Sequence, residues 1–398
     1  MTTSQTFHPP ARLLLGPGPS NVEERVLRAM SAQLVGYFDS CLLEVAAEIR
    51  RLLNLAFGTR NHVTLPISGT GSAGMEAALI NIIEPGDKVL VGANGYFGDR
   101  MVEIVERCGG LPIVLQVEWG KPVSPEQVRA TFKKEPGVKV LAVVHAETST
   151  GVLQPLEGLR GIADQHDALF LVDAVTSLAG HPVGVDQHGI DVCYSGTQKA
   201  LSAPPGLAPL TLSERAMERI RRRKQKVQSF YLDVALFEKY WGTNGSYHHT
   251  PPITFYYALL EALKIVEEEG LEARFERHRL NHQALVAGLE GMGLQMQVEP
   301  PYRLWTLNTV KIPSGIDDAK VRGRLLQECG IEIGGGLGTL KGKVWRIGFM
   351  GVNSTGNNVL LLLSALERIL RSEGFPCGSG IAVANEVYLK HSSRKGAS

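Results

Sequence analysis

Tyr194-Ser195-Gly196-Thr197-Gln198-Lys199 is the stretch on which the reading of this chain turns. A lysine follows a short apolar segment and a Ser-Gly turn. Upstream, Leu169-Phe170-Leu171-Val172-Asp173 is an apolar run of strand length with a carboxylate at its C-terminal end. A lone lysine is ordinarily a solvated surface residue. A lysine held near a strand-end aspartate in an α/β chain is a candidate carbonyl-binding amine.

Outward from that pair, strand-like and helix-like segments alternate. Val63–Ile67, Lys88–Val91, Pro112–Gln116, Val138–His145, Leu169–Val172, Val192–Tyr194 and Leu207–Leu212 have strand character. Helical spacing runs over Leu42–Phe57, Ser72–Ile83, Gly98–Arg107 and Leu156–Gln165, with a further helix from Ser124. Such alternation predicts a mainly parallel sheet covered on both faces. Gly16-Pro17-Gly18-Pro19-Ser20-Asn21 is rigid turn chemistry, in which Ser20 or Asn21 is placed to cap a helix from Val22. After the long amphipathic helix of Thr254–Glu269 the pattern changes to a smaller α+β unit. The expected organisation is an N-terminal arm (1–20), a large domain (21–270), a small C-terminal α+β domain (271–373) and a polar, partly disordered tail (374–398).

The 398 residues carry 41 Lys+Arg against 40 Asp+Glu, a net charge of +1. Such a balance creates no field to steer nucleic acid or a membrane surface, so neither is expected as a partner. No apolar stretch is long enough to span a bilayer. The five cysteines are dispersed with no CxxC, which reads as free thiols, and with no secretory signal the expected compartment is the cytoplasm.

Several motifs narrow the chemistry. Ser68-Gly69-Thr70-Gly71-Ser72-Ala73-Gly74 follows a strand and opens a helix, a turn that aims backbone N–H groups and the positive helix end at an anion. It also matches GxGxxG, which keeps a Rossmann dehydrogenase open, although no acidic residue ends the next strand. Phe97 lies just past Lys88–Val91, where an aromatic either stacks on a planar ring or packs in the core. Arg346, flanked by Trp345 and Ile347, is costly to bury unless paired, and its fork matches a carboxylate. His248 and His249 are adjacent and lack a carboxylate at ligand spacing, so no metal is expected. Pyridoxal phosphate requires both halves of the opening pair: a lysine to condense with its aldehyde and an acid on its ring nitrogen.

In this order LLLGPGPSN (13–21), SGTGSAGMEAAL (68–79), EPGD (84–87), STGVLQPLEG (149–158), LVDAVTSLAG (171–180), YSGTQKALSAPPG (194–206), YHHTPP (247–252) and GGGLG (334–338) resemble the class V aminotransferases of fold type I. The similarity is to the alanine–glyoxylate/serine–pyruvate aminotransferase family, which includes insect 3-hydroxykynurenine transaminases, and runs from about Leu13 to Leu370. The resemblance implies an α/β fold, with a large domain on a mainly parallel seven-stranded sheet. It implies pyridoxal 5'-phosphate as cofactor and a homodimer with shared active sites. It implies small amino acid and 2-oxo acid substrates, with alanine or serine giving the amino group to glyoxylate.

Carried over by the resemblance, Lys199 and Asp173 are catalytic. Thr70, Gly71, Ser72 and Gln198 hold the phosphate, with Tyr247 and Thr250 reaching it from the other subunit. Phe97 and Val175 flank the ring, and Thr148 contacts it. Arg346 binds the substrate carboxylate, Gly18 lines the substrate pocket, and Tyr37 and Phe38 stand at its mouth. Those two aromatics keep a kynurenine-type transaminase open. A cysteine desulfurase is disfavoured, because Phe97 takes the position over the ring and Gly334–Gly338 contains no cysteine.

Overall fold

The computed structural model of the chain describes residues 8–241 and 247–395. The chain enters through a two-residue strand, β1 (Leu13–Leu14). It then lays down β2 (Val63–Ser68), β3 (Lys88–Ala93), β4 (Leu111–Gln116) and β5 (Val138–Val144). A small hairpin, β6 (Ala146–Glu147) and β7 (Val152–Leu153), precedes β8 (Leu169–Asp173), β9 (Val192–Tyr194) and β10 (Leu207–Leu212). Among the described residues, one seven-stranded sheet runs in the order β2-β10-β9-β8-β5-β3-β4. Its pairs are parallel except where β10 meets β2 and β9. The sheet is the mainly parallel one that the strand pattern and the resemblance implied.

The central strands β8 and β10 bury every residue, which is why the sequence shows apolar runs rather than alternation. The covering helices are built from matching surfaces. The helix Gly71–Ile82 is buried along most of its length, and at Gly74 an added Cβ would lie 2.8 Å from Ala208 Cβ, so glycine lets it settle onto β10. A parallel sheet gathers its strand ends, and the loops after β2, β3, β5, β8 and β9 crowd one edge.

The second unit contains β11 (Leu307–Lys311), β12 (Ile331–Glu332), β13 (Gly334–Gly335) and β14 (Val344–Gly348). β11-β14-β13 form a three-stranded antiparallel sheet. Its own apolar cluster includes Leu285, Leu289, Trp345, Ile347, Leu362 and Leu366. Leu15 of the arm belongs to that cluster, and β1 pairs in parallel with β12.

Two sequence expectations are corrected. Ser20 and Asn21 do not cap a helix from Val22. The helix spans Glu24–Ala29, with Glu23 at its N-cap making no side-chain bond. Tertiary bonds take the two side chains instead. Asn21 Oδ1 accepts from Leu14 N (2.9 Å), its Nδ2 donates to Arg12 O (2.8 Å), and Ser20 Oγ donates to Lys199 O (2.8 Å). The polar tail is also more ordered than its composition suggested, because Gly380–Lys395 is a helix. Ile381, Ala384, Val387 and Tyr388 repeat at helical spacing and pack on the second core, and Tyr388 Oη donates to Asn281 Oδ1 (2.8 Å). Residues 1–7 of the arm and 396–398 of the tail lie outside the described residues.

The close approach of the tail helix depends on Gly288 in the helix Leu271–Gly291. A Cβ there would lie 2.9 Å from Gly380 O and strike Leu363 Cδ1. Gly288→Val is expected to cost about 1–3 kcal/mol by overpacking, lowering Tm by about 1–4 °C. Limited proteolysis should then cut the 374–380 connection sooner than in the parent; an unchanged digestion pattern and Tm would contradict this packing.

Candidate active site

The loops at the C-terminal edge of the sheet surround a cavity of about 230 Å³, lined by Thr70, Gly71, Ser72, Phe97, Thr148, Asp173, Val175, Gln198 and Lys199 among others. Each strand end contributes through a local reason. After β2, Gly69 takes φ +148° and Thr70 is the N-cap of Gly71–Ile82 without a side-chain cap bond. The first N–H groups of that helix have no partner within it and face outward from the sheet. At Gly71 an added Cβ would lie 3.2 Å from Val175 Cγ2, so the turn and the residue after β8 are pressed together.

After β8, Asp173 is buried, and its carboxylate accepts from Val175 N (2.8 Å) and from Tyr194 Oη (2.7 Å) on the neighbouring strand β9. Burial pushes its pKa up to about 6, while the Val175 N–H, the Tyr194 hydroxyl, and the charges of Lys199 and Arg100 pull it back. After β9, the loop to Lys199 is fixed by Ser195 Oγ donating to Ala174 O (3.0 Å) and Thr197 Oγ1 donating to Pro204 O (2.7 Å). Lys199 is buried at 9% exposure, with its Nζ donating to Pro17 O. Burial, reinforced by the positive charge of Arg346 and opposed by Asp173, lowers its pKa to about 8. Gly18, at φ +115°, sits directly against this amine: any Cβ would strike Lys199 Nζ.

Arg346 reaches the site from β14 in the second unit. It is buried, with Nε donating to Gly335 O (2.7 Å) and Nη1 to Thr148 O (3.3 Å). Its partners are carbonyls; among the described residues it makes no ion pair. A buried guanidinium without a carboxylate is an unbalanced charge, and the nearest compensating group is Glu147, whose field opposes the lowering of its pKa by burial.

Glu147 was not singled out from the sequence, and the structure gives it a central place. It is fully buried and accepts from Phe97 N (3.0 Å), Gly98 N (3.3 Å), Ser149 N (3.0 Å) and Ser149 Oγ (2.6 Å). Ser149 Oγ in turn accepts from Tyr96 N (2.9 Å). The start of the helix Tyr96–Arg107 is thus capped from another strand, which fixes Phe97 at the cavity wall. Burial raises the Glu147 pKa to about 7, the nearby Asp173 charge adds to this, and its hydrogen bonds oppose it. The acidic residue in an otherwise hydroxyl-rich turn (Glu147-Thr148-Ser149-Thr150) was the available signal. Tyr194 was missed because an aromatic on an apolar strand looks like core, and Arg100 because an arginine on an amphipathic helix looks like surface.

Six of the predicted residues do not line this cavity; Gly18 and Arg346 touch residues that do, Lys199 and Thr148 respectively, whereas Tyr37, Phe38, Tyr247 and Thr250 lie elsewhere. Tyr37 and Phe38 pack on Tyr247, with ring centroids 6.2 and 6.4 Å apart. Tyr247 Oη lies 3.0 Å from Thr250 Oγ1, and Tyr37 and Thr250 line a separate hollow with Leu34 and Ile253. Residues 34–37 thus run alongside the 250–254 segment. Among the described residues no group of three or more His, Cys, Asp or Glu is arranged to hold a metal ion, and no helix is long and apolar enough to cross a membrane.

The sequence model of the class-V aminotransferases matches residues 13–362. The alanine–glyoxylate aminotransferase of Oryctolagus cuniculus is 43% identical over 366 residues, covering 91% of this chain and 93% of the relative. Among solved structures, the alanine–glyoxylate aminotransferase of Nostoc sp. is 48% identical with a TM-score of 0.91, covering 92% of this chain and 97% of that one. The ureidoglycine–glyoxylate aminotransferase of Bacillus subtilis is 41% identical with a TM-score of 0.94, covering 96% and 100%. With its parallel sheet, its strand-end aspartate and its buried lysine, the chain belongs to the class-V aminotransferases.

Proposed function

We propose that this aminotransferase uses pyridoxal 5'-phosphate to move the amino group of alanine or serine to glyoxylate, yielding the 2-oxo acid of the donor and glycine. The observation that carries this reading is the arrangement of Lys199, Asp173 and Arg346. An amine of lowered pKa lies between a buried carboxylate and a guanidinium without an ion-pair partner. Glyoxylate is the acceptor named in both kinds of relative, whereas the named donor is alanine in one and ureidoglycine in the other.

The residues fit the cofactor on observations of this structure. Gln198 lines the same cavity as Thr70, Gly71 and Ser72, where its amide Nε2 is a donor suited to a phosphate oxygen. Asp173 offers a buried carboxylate and Lys199 a primary amine. Pyridoxal phosphate, when bound, would supply an aldehyde to receive the amino group and a protonated ring to accept electrons. Thr70, Gly71, Ser72 and Gln198 would hold its phosphate, Phe97 and Val175 would flank its ring, and Thr148 would contact it. Asp173 would keep the proton on the ring nitrogen.

The chain's own chemistry follows from these placements. Arg346 binds the α-carboxylate of the donor and then that of the acceptor, so one clamp serves both halves of the reaction. Lys199 Nζ, once neutral, takes the α-hydrogen of the bound amino acid as a proton and holds it on nitrogen. Its two charged neighbours set the balance: Arg346 favours the neutral amine and Asp173 the charged one.

We further propose a cytoplasmic homodimer. Tyr37, Phe38, Phe230, Tyr231 and Tyr247 are exposed aromatics, a surface of the kind that a second subunit covers. In that dimer Tyr247 and Thr250 reach the partner's phosphate, and Tyr37 and Phe38, packed on Tyr247, travel with them to its mouth. Their stacking on Tyr247 also supports a second reading, in which the donor is an aromatic amino acid of the kynurenine type.

Borohydride reduction of the yellow protein should fix the cofactor on the peptide carrying Lys199, and Lys199→Ala should lower transamination by about 10²–10⁴-fold; a label elsewhere would refute the assignment. Arg346→Ala should raise KM for alanine and glyoxylate about 10- to 100-fold, with the cofactor spectrum retained. Unchanged KM would remove Arg346 from the clamp. Because the Lys199 pKa is lowered to about 8, the neutral amine grows as pH rises through that value. The rate at which cofactor-free protein captures pyridoxal phosphate should therefore climb between about pH 7 and 9 and level off above, and a flat profile would contradict it.

A further inference from the structure

Arg100 lies one turn into the helix Tyr96–Arg107 and lines the same cavity as Thr70, Gly71, Ser72 and Gln198. Its guanidinium carbon stands 4.9 Å from the centroid of the Phe97 ring and 5.2 Å from that of Tyr96. Nη1 donates to Ser72 Oγ (2.9 Å). Among the described residues Arg100 makes no ion pair, although arginines elsewhere on the large unit, such as Arg160, Arg215 and Arg219, are each matched by a carboxylate. The aromatic pair and the serine thus hold a cation in place at the cavity without neutralising it.

Charge accounting says what would neutralise it. A phosphate monoester carries a charge of about −1.5 to −2 at neutral pH, whereas a helix N-terminus offers only about half a positive charge. Gln198 and the hydroxyls of Thr70 and Ser72 add dipoles but no charge. Of the two cations lining the cavity, both act on Asp173, and Lys199 is bonded to the Pro17 carbonyl. Arg100 stands with Ser72, at the helix end that suits an anion.

Resting on the pyridoxal phosphate reading, we propose that Arg100 is a phosphate-binding residue, supplying the full positive charge that the Thr70–Ser72 turn lacks. Phe97 then has two tasks on its two sides: packing against the bound ring and fixing the guanidinium. Ser72 is the relay that shares its hydroxyl between Arg100 and the phosphate.

The test compares pyridoxal phosphate with pyridoxal, which has the same ring and aldehyde but no phosphate. Each is titrated by absorbance into full-length protein stripped of cofactor. Arg100→Gln is expected to weaken pyridoxal phosphate about 10- to 100-fold and to flatten the dependence of its Kd on salt, while leaving the Kd of pyridoxal unchanged. Arg100→Lys, which keeps the charge but not the fork, should recover part of the loss. Equal losses for both ligands would overturn the proposal, since Arg100 would then act only by supporting Phe97. An unchanged Kd for pyridoxal phosphate in Arg100→Gln would overturn it while leaving the proposed function intact. Parent protein that binds neither ligand would overturn the proposed function as well.

Discussion

The site depends on keeping two carboxylates buried, Asp173 at the end of β8 in the main sheet and Glu147 in β6 of the small hairpin that follows β5. Removing a carboxylate from water costs several kcal/mol unless hydrogen bonds replace the lost hydration. Asp173 has two such donors and Glu147 four. These bonds are what organise the surroundings: Tyr194 is anchored to β8, the helix bearing Phe97 is pinned to the turn after β6, and that same turn offers the Thr148 carbonyl to Arg346. Both acids sit above their ordinary pKa because burial opposes their charged forms.

A second constraint acts between cations. Lys199 and Arg346 arrive from different units and repel each other, while Asp173 and Glu147 attract them. The result is a buried cluster of two acids and two bases drawn from β8, β6, the loop after β9 and β14, in which the arginine of the small unit is balanced by acids of the large one.

Much of this was legible in the residues themselves. The strands β8 and β9 and the loop to Lys199 announced themselves because a fully buried parallel strand leaves an unbroken apolar run, and a charged residue at its end stands out. The Gly69–Gly74 turn was visible because backbone approach needs glycine. What stayed hidden has a common cause: a side chain whose role comes from a distant partner leaves no local pattern. Glu147 caps a helix some fifty positions away in the chain. Ser20 and Asn21 looked like helix caps because the same side-chain chemistry serves caps and tertiary bonds alike. The tail helix was hidden by average polarity, although its apolar stripe has helical spacing.

Leu13 N and Leu15 N donate to Gly330 O and Glu332 O of the small unit, and Gly348 N, at the end of the strand carrying Arg346, donates to Leu15 O. Within a few residues the same backbone crosses over: the Pro17 carbonyl accepts from Lys199 Nζ, and Ser20 is bonded to Gln198 and Lys199. The arm is therefore a tether sewn at one end to the carboxylate clamp and at the other to the amine. A displacement of the small unit would thus be passed through the arm's bonds to the loop that carries the lysine.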